Sequence, residues 1–440
     1  MNILIIGNGF DLEHKLPTSY RDFLEFCSKV KALYSCSINT PTKLFQTQSL
    51  DGWEVDDSIK QTFLEAFGTR YANIDAVTDV TYDTGIRTSN KALNELYSYV
   101  KFNTWLRYFW NLTSDPGKNW IDFESEISRV IQALDAARFQ VTCGGSAQNI
   151  EKPQGELIIA ILKASKGSLR NALEDEAAIE KFTAFLNTEL DRLIRALEIY
   201  IADFVGKIAV KNKSSDIENL NPDHILSFNY SDTYERVYGG DKEIKYDYIH
   251  GKADVNKTVA SCNLVLGIDE YLDDEEKNEE FTFLSFKKFY QRIYKSTGNT
   301  YLEWVDEIKD GYEAYLKEES DAYIRVVESI KDGSISHFPF QRSDFTLFPA
   351  EFPQHTLHIF GHSLDVTDRD VLRLFICNDN VQTKIFYHRK DEDDKLALGK
   401  IIKNLIQIMG QDELIRRTGG AHKTIEFVPQ AIQAAEEPHL

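Results

Sequence analysis

Cysteine is scarce in this chain. Cys27, Cys36, Cys143, Cys262 and Cys377 are scattered, odd in number and nowhere spaced as CxxC. That pattern argues against a disulfide framework and a zinc ribbon, and predicts free thiols in a reducing cytoplasm. Long apolar runs are missing too. No uninterrupted stretch approaches the roughly 20 residues of a membrane helix, and no basic segment precedes the first apolar run, so a soluble, unexported, cytoplasmic protein with no membrane partner is expected. Basic residues are outnumbered: 50 Lys and Arg against 70 Asp and Glu give a formal charge of −20. General nucleic-acid binding, which needs a basic footprint, is disfavoured. Core material is plentiful, with 42% hydrophobic and 12% aromatic residues in 440. This length suits about two to three domains.

Short apolar runs that read as buried parallel strands occur at Ile3 to Ile6, His224 to Phe228, Tyr246 to Ile249, Asn263 to Leu266, Leu357 to Phe360, Thr383 to Tyr387 and Thr424 to Val428. Between them, Ser89 to Val210 and Phe281 to Ile330 have helical periodicity. The expected fold is α/β: a Rossmann-type parallel sheet with large α-helical insertions. The nucleotide-binding domain would comprise 1–36, 218–270 and 345–430, with a helical insertion domain at 37–217 and a second, mainly helical insertion at 271–344. No internal repeat is present. The acidic run DDEEKNEE at Asp273 to Glu280 reads as a solvated loop.

Four turns at strand ends carry the chemistry. GNGFD follows the first strand, where Gly7 and Gly9 would let backbone N–H groups approach a phosphate. Leu12 stands where GxGxxG has its third glycine, and no second strand ending in an acid follows about 20 residues on, so a dehydrogenase is disfavoured. HILSFNYSD puts Asn229 at a carboxyl strand end, with Asn229 or Ser231 as a plain helix cap the competing reading. YDYIHGKAD runs into His250-Gly251, and a histidine there can act as a general base or be an ordinary turn residue. LHIFGHSLD repeats the first turn with Gly361 and Ser363, and Asp365 is a plausible cap.

In this order the turns resemble the sirtuin NAD-binding fold, whose turns read Gly-Ala-Gly, Gln-Asn-Ile-Asp, His-Gly and Gly-Thr-Ser. Lys15-Leu16-Pro17-Thr18-Ser19-Tyr20 stands where sirtuins have Gly-Ile-Pro-Asp-Phe-Arg. GNGFDLEHKLPTSYRDFL with FNYSD, IHG and GHSLD is still more similar to the AbiH family of bacteriophage abortive-infection proteins, a divergent sirtuin-like group. The resemblance implies NAD as substrate, with Gly7, Asn8 and Gly9 on the phosphates, Gly361 and Ser363 near the adenosine ribose, and catalytic Asn229 and His250 flanking the reacting ribose. Phe10, Asp11, Tyr20, Asp232 and His362 complete the implied cofactor-binding set. Asp232 would replace the sirtuin aspartate, because Ser231 occupies its position. The zinc-module cysteines are absent, which puts protein deacylation in doubt.

The implied reaction is NAD glycohydrolysis to nicotinamide and ADP-ribose in antiphage defence. The nicotinamide departs neutral and needs no acid, so Asn229 would orient a water and neutral His250 would accept its proton. Two alternatives remain: a non-catalytic nucleotide sensor, and a serine hydrolase using Ser363 with His388 or His422. No metal is expected. His355, His358 and His362 are spaced three and four apart, but on a strand the first two face opposite ways. His14 reads as a turn histidine beside the phosphate turn, and in the stretch that begins at Trp120 the residues Asp122, Glu124 and Glu126 read as helix-start acids that could instead send a carboxylate into the pocket. Substituting Asn229 or His250 is expected to disturb the fold no more than a surface change. The helices from Ser89 to Val210 are expected to form an oligomerisation surface, or one that senses a phage-derived trigger, rather than part of the pocket.

Overall fold

The computed structural model describes residues 1–35, 53, 55–72, 88–113, 121–146, 150–166, 172–240, 242–272, 281–334, 351–389 and 395–431. Trp120 and the run Asp273 to Glu280 lie outside them. The strands are β1 (Asn2–Ile6), β2 (His224–Ser227), β3 (Lys245–Tyr248), β4 (His355–Phe360), β5 (Val381–Tyr387) and β6 (Ile425–Pro429). They form one six-stranded sheet in the order β3-β2-β1-β4-β5-β6. Every neighbouring pair is parallel. This is a Rossmann-like α/β fold, and its strand order reverses between β1 and β4, where such sheets open a crevice beyond the carboxyl ends.

Successive side chains of the central strands alternate between two buried clusters, so the sheet is covered on both faces. Ile3, Ile5, Leu226, Leu357 and Ile359 face one cluster, and Leu4, Ile6, Ile225 and Phe360 the other. The helices are α1 (Asn8–Glu13), α2 (Tyr20–Ser35), α3 (Asp57–Ala72), α4 (Lys91–Val100), α5 (Thr104–Thr113), α6 (Phe123–Thr142), α7 (Gln154–Ala164), α8 (Glu176–Ile199) and α9 (Ser215–Glu218) before β2. Then come α10 (Lys288–Tyr294), α11 (Tyr301–Lys331), α12 (Arg369–Ile376), α13 (Lys395–Met409) and α14 (Gln411–Thr418). Residues of α11, α12 and α13 cover the Ile3 face. Residues of α2 through α8 build a separate helical core around Phe26, Trp105, Phe123 and Leu190. Among the described residues no helix is long and apolar enough to cross a membrane.

One expected strand is absent from the sheet. Asn263 to Leu266 is buried but packs into the helical core, with Leu264 and Leu266 beside Phe283 and Phe286. Its polar groups are met elsewhere: Val265 N–H donates to His250 O at 2.9 Å, Leu266 N–H to Gln291 Oε1 at 3.1 Å, and Lys295 Nζ to Leu264 O at 2.6 Å. A short apolar run reveals that it is buried, not which partner satisfies its backbone.

Candidate functional site

The turns after β1 and β4 interlock. Gly9 N–H donates to Gly361 O at 2.8 Å and Gly7 N–H to Phe360 O at 3.2 Å. A Cβ on Gly9 would stand 2.8 Å from Gly361 Cα, while one on Gly361, whose φ is +66°, would collide with the Phe10 nitrogen. The glycines are thus required by close packing of two backbones, a reason distinct from the phosphate approach inferred from sequence. The His-Gly turn has a similar cause: Gly251, at φ +81°, passes so near the Asn263 carbonyl that any Cβ would strike it.

These turns border a cleft of about 460 Å³ at the carboxyl edge of the sheet. Gly7, Asn8, Gly9, Asp11, Tyr20, Asn229, His250, Gly361, His362 and Ser363 all line it. The sequence therefore located the cleft from four separate segments. Phe10 does not line it: the ring is fully buried on the opposite side, 4.5 Å from His14 and 6.2 Å from Phe360 between centroids. Asp232 does not line it either, and lies 4.0 Å from Arg236 with its side chain nearly half exposed. The carboxylate beside Ser231 comes instead from Asp11, whose Oδ2 accepts the Ser231 hydroxyl at 2.7 Å. Burial pushes Asp11 up to about 6, against the hydrogen bonds from Ser231 and Thr233.

Asn229 is 5% exposed and ties two strand ends together, its Nδ2 donating to Gly7 O at 3.0 Å. His250 packs edge-on against Phe228 at 5.6 Å and points Nε2 toward Asp368 Oδ1 at 3.6 Å. Burial, and then the nearby Lys288 charge, hold its pKa down at about 3. His362 is fixed from both nitrogens, with Nδ1 accepting from Leu364 N–H at 2.9 Å and Nε2 at 3.4 Å from Asp368 Oδ2. Asp365 caps the short turn Val366–Asp368 by accepting from Thr367 N–H at 3.1 Å, which sets Asp368 facing both imidazoles. His14 lies away from the cleft, bonded to Phe10 O at 2.6 Å and the Tyr238 hydroxyl at 2.7 Å.

The helical insertion does reach the cleft, contrary to the expectation from sequence. Ile121, Asp122, Glu124 and Ile201 line it. Asp122 caps α6 through Glu124 N–H at 3.0 Å, while the Glu124 side chain turns inward to Lys288 Nζ at 2.7 Å. Burial raises Glu124 to about 7 even beside that cation. The hydroxyl of Tyr200 also holds the cleft loop, donating to Pro17 O at 2.6 Å. Glu126 turns elsewhere, to Arg129 at 2.8 Å.

Lys288 and Asp368 were missed by the sequence reading. Lys288 Nζ lies 3.6 Å from Asp368 Oδ1, and although burial opposes it, this cation holds Asp368 well below the usual carboxylate range. Glu124 and Asp368 overcome the burial of Lys288 and hold its ammonium well above the lysine range. Among the described residues no group of three or more His, Cys, Asp or Glu side chains is arranged to hold a metal ion. The strand-borne His355 and His358 are far from forming one: His355 contacts the N-terminal amine at 3.2 Å, and His358 stands near Phe386 at 6.3 Å.

A family model described as bacteriophage abortive infection AbiH matches residues 3–389. No curated protein and no solved structure matches the chain.

Proposed function

This chain belongs to the AbiH family of bacteriophage abortive-infection proteins, and we propose that within that role its cleft hydrolyses the nicotinamide–ribose bond of NAD. The observation that carries the reading is His250: a buried imidazole, neutral at pH 7, with a carboxylate at Nε2, beside Asn229 at the switch point of the sheet. Asp368 favours the tautomer with its proton on Nε2, which leaves Nδ1 as the acceptor. Such a group suits a water or ribose hydroxyl that must be oriented and must lose a proton as the sugar becomes oxocarbenium-like. Asp368 would stabilise the imidazolium formed in that step.

The charge of the walls supports the same chemistry. Asp11, Asp122, Glu124, Asp365 and Asp368 line the cleft, and the exposed Arg21 is on the wall of the same cleft. An acidic end suits a cationic ring and the positive charge that grows as the ring departs neutral. Arg21 would take the phosphates, the Thr18 and Ser19 hydroxyls being donated to Asn8 Oδ1 and Asp22 Oδ2. Asn229 donates an amide N–H to Gly7 O and keeps Oδ1 to orient the attacking water.

The serine-hydrolase alternative loses support. Of its two candidate bases, His388 is exposed and does not line the cleft, and the side chain of His422 lies outside the described residues; His362, beside Ser363, has both nitrogens engaged. A variant series tests the reading: His250→Ala and Asn229→Ala should each lose at least ~10²-fold in NAD turnover, and Ser363→Ala should keep most of it. Full activity of the first two, or a dead Ser363→Ala with active His250→Ala, overturns it. Tight NAD binding without turnover in the parent protein makes the cleft a nucleotide sensor instead.

A further inference from the structure

Two carboxylates that line the cleft are joined by a lysine that does not line it and to which the reaction above assigns no role. Lys288, the first residue of α10, is 8% exposed and joins Glu124 Oε2 at 2.7 Å to Asp368 Oδ1 at 3.6 Å. Glu124 comes from the first helical stretch, Lys288 from the second, and Asp368 from the turn after β4. Asp368 also faces the Nε2 atoms of His250 at 3.6 Å and His362 at 3.4 Å. One ammonium from an insertion is therefore shared between a carboxylate of the other insertion and the carboxylate that carries both histidines. We propose that Lys288 is a positioning residue through which the second helical stretch keeps His250 an unprotonated hydrogen-bond acceptor.

The argument is one of charge in a closed space. His250 faces Lys288 and Arg292 from α10, Asp368 and His362 from the exit of β4, and the ring of Tyr230 from the exit of β2. Lys288 itself faces Glu124, Asp368 and, more distantly, Asp269. The two cations of α10 oppose protonation of His250, and Asp368 alone favours it. Without the ammonium, Asp368 would remain buried beside two imidazoles with no other lysine or arginine in contact among the described residues, and one imidazole would take up a proton to neutralise it. An imidazolium has no lone pair to offer a water. Displacing the second helical stretch, which carries Lys288 and Arg292, from the sheet edge would thus switch His250 from acceptor to donor, which links that insertion to the chemistry.

The inference rests on the proposed activity only for its consequence in turnover, so its test uses no substrate. Histidine side-chain NMR titration from pH 4 to 8 follows His250, assigned by the signal lost in His250→Gln. In the parent protein His250 should stay neutral across that range. In Lys288→Met it should acquire a midpoint inside the range, as removal of an adjacent charge moves a buried group by about 1–3 pH units. Lys288→Gln serves as the second variant if the methionine does not fold. Glu124→Gln, which keeps the ammonium, should leave His250 neutral. An unchanged His250 in the Lys288 variants, or an equal rise in Glu124→Gln, overturns the proposal. If the shift occurs in a protein that does not cleave NAD, the glycohydrolase reading fails and the coupling stands.

Discussion

The catalytic candidates are buried, and that changes what substituting them costs. Asn229 and His250 are 5% and 7% exposed, so the expectation of a surface-like cost does not hold. Removing the Asn229 amide takes one of two donors from the Gly7 carbonyl, which keeps Phe10 N–H at 2.8 Å, and should cost about 0.5–1.5 kcal/mol, so its variants need a stability control. Gly361→Ala should be worse. A positive φ and a collision with Phe10 N combine, and a loss above about 3 kcal/mol, read by chemical denaturation, is expected. Asp11 gives a pH test with a definite sign. Its folded pKa, about 6, lies above the ordinary aspartate value of 3.8, so the unfolded chain releases the proton first and the carboxylate destabilises the fold increasingly as pH rises through that window. Asp11→Asn can still accept from Ser231. Its stability relative to the parent should improve between pH 5 and pH 8 by about 1–2 kcal/mol, and a change of opposite sign would refute the buried-charge account.

At the scale of elements, the insertions are walls of the cleft as well as additions to the sheet. Phe23 and Phe26 of α2 stack into the helical core, with Phe23 6.4 Å from Phe123 and Phe26 4.7 Å from Tyr200. Excising Ser89 to Val210 would strip those partners and expose the apolar face of α2. We expect an aggregating or dye-binding product, measured by soluble yield and ANS fluorescence, rather than a trimmed active enzyme. A soluble, compact, equally active product would contradict this. The elements also explain which site residues were legible. Gly9, Asn229, His250 and Gly361 could be found because each ends an apolar run at a turn, and all such ends in a parallel sheet meet at one edge. Lys288 and Asp368 sit among other charges in KKF and TDRD, where local pattern reads as solvated surface. Their burial follows from two distant segments meeting, which no local period encodes.

At the scale of the molecule, the strand order was open to inference only in part. The apolar runs predicted a parallel sheet, and six of them form it; the seventh, Asn263 to Leu266, went to the helical core because that core, not the sheet, offered partners to its backbone. The family match covers residues 3–389, insertions included, and places the chain in abortive infection. If the cleft destroys a shared cofactor it must be restrained in healthy cells, and a base whose charge followed the insertion that carries Lys288 would be a means of restraint. The central claim is the reaction itself. Its most direct test is chromatography of NAD incubated with the purified chain: nicotinamide and ADP-ribose should appear in equal amounts and fail to appear with His250→Ala. Intact NAD under every condition that preserves the fold, or equal cleavage by His250→Ala, would contradict the account.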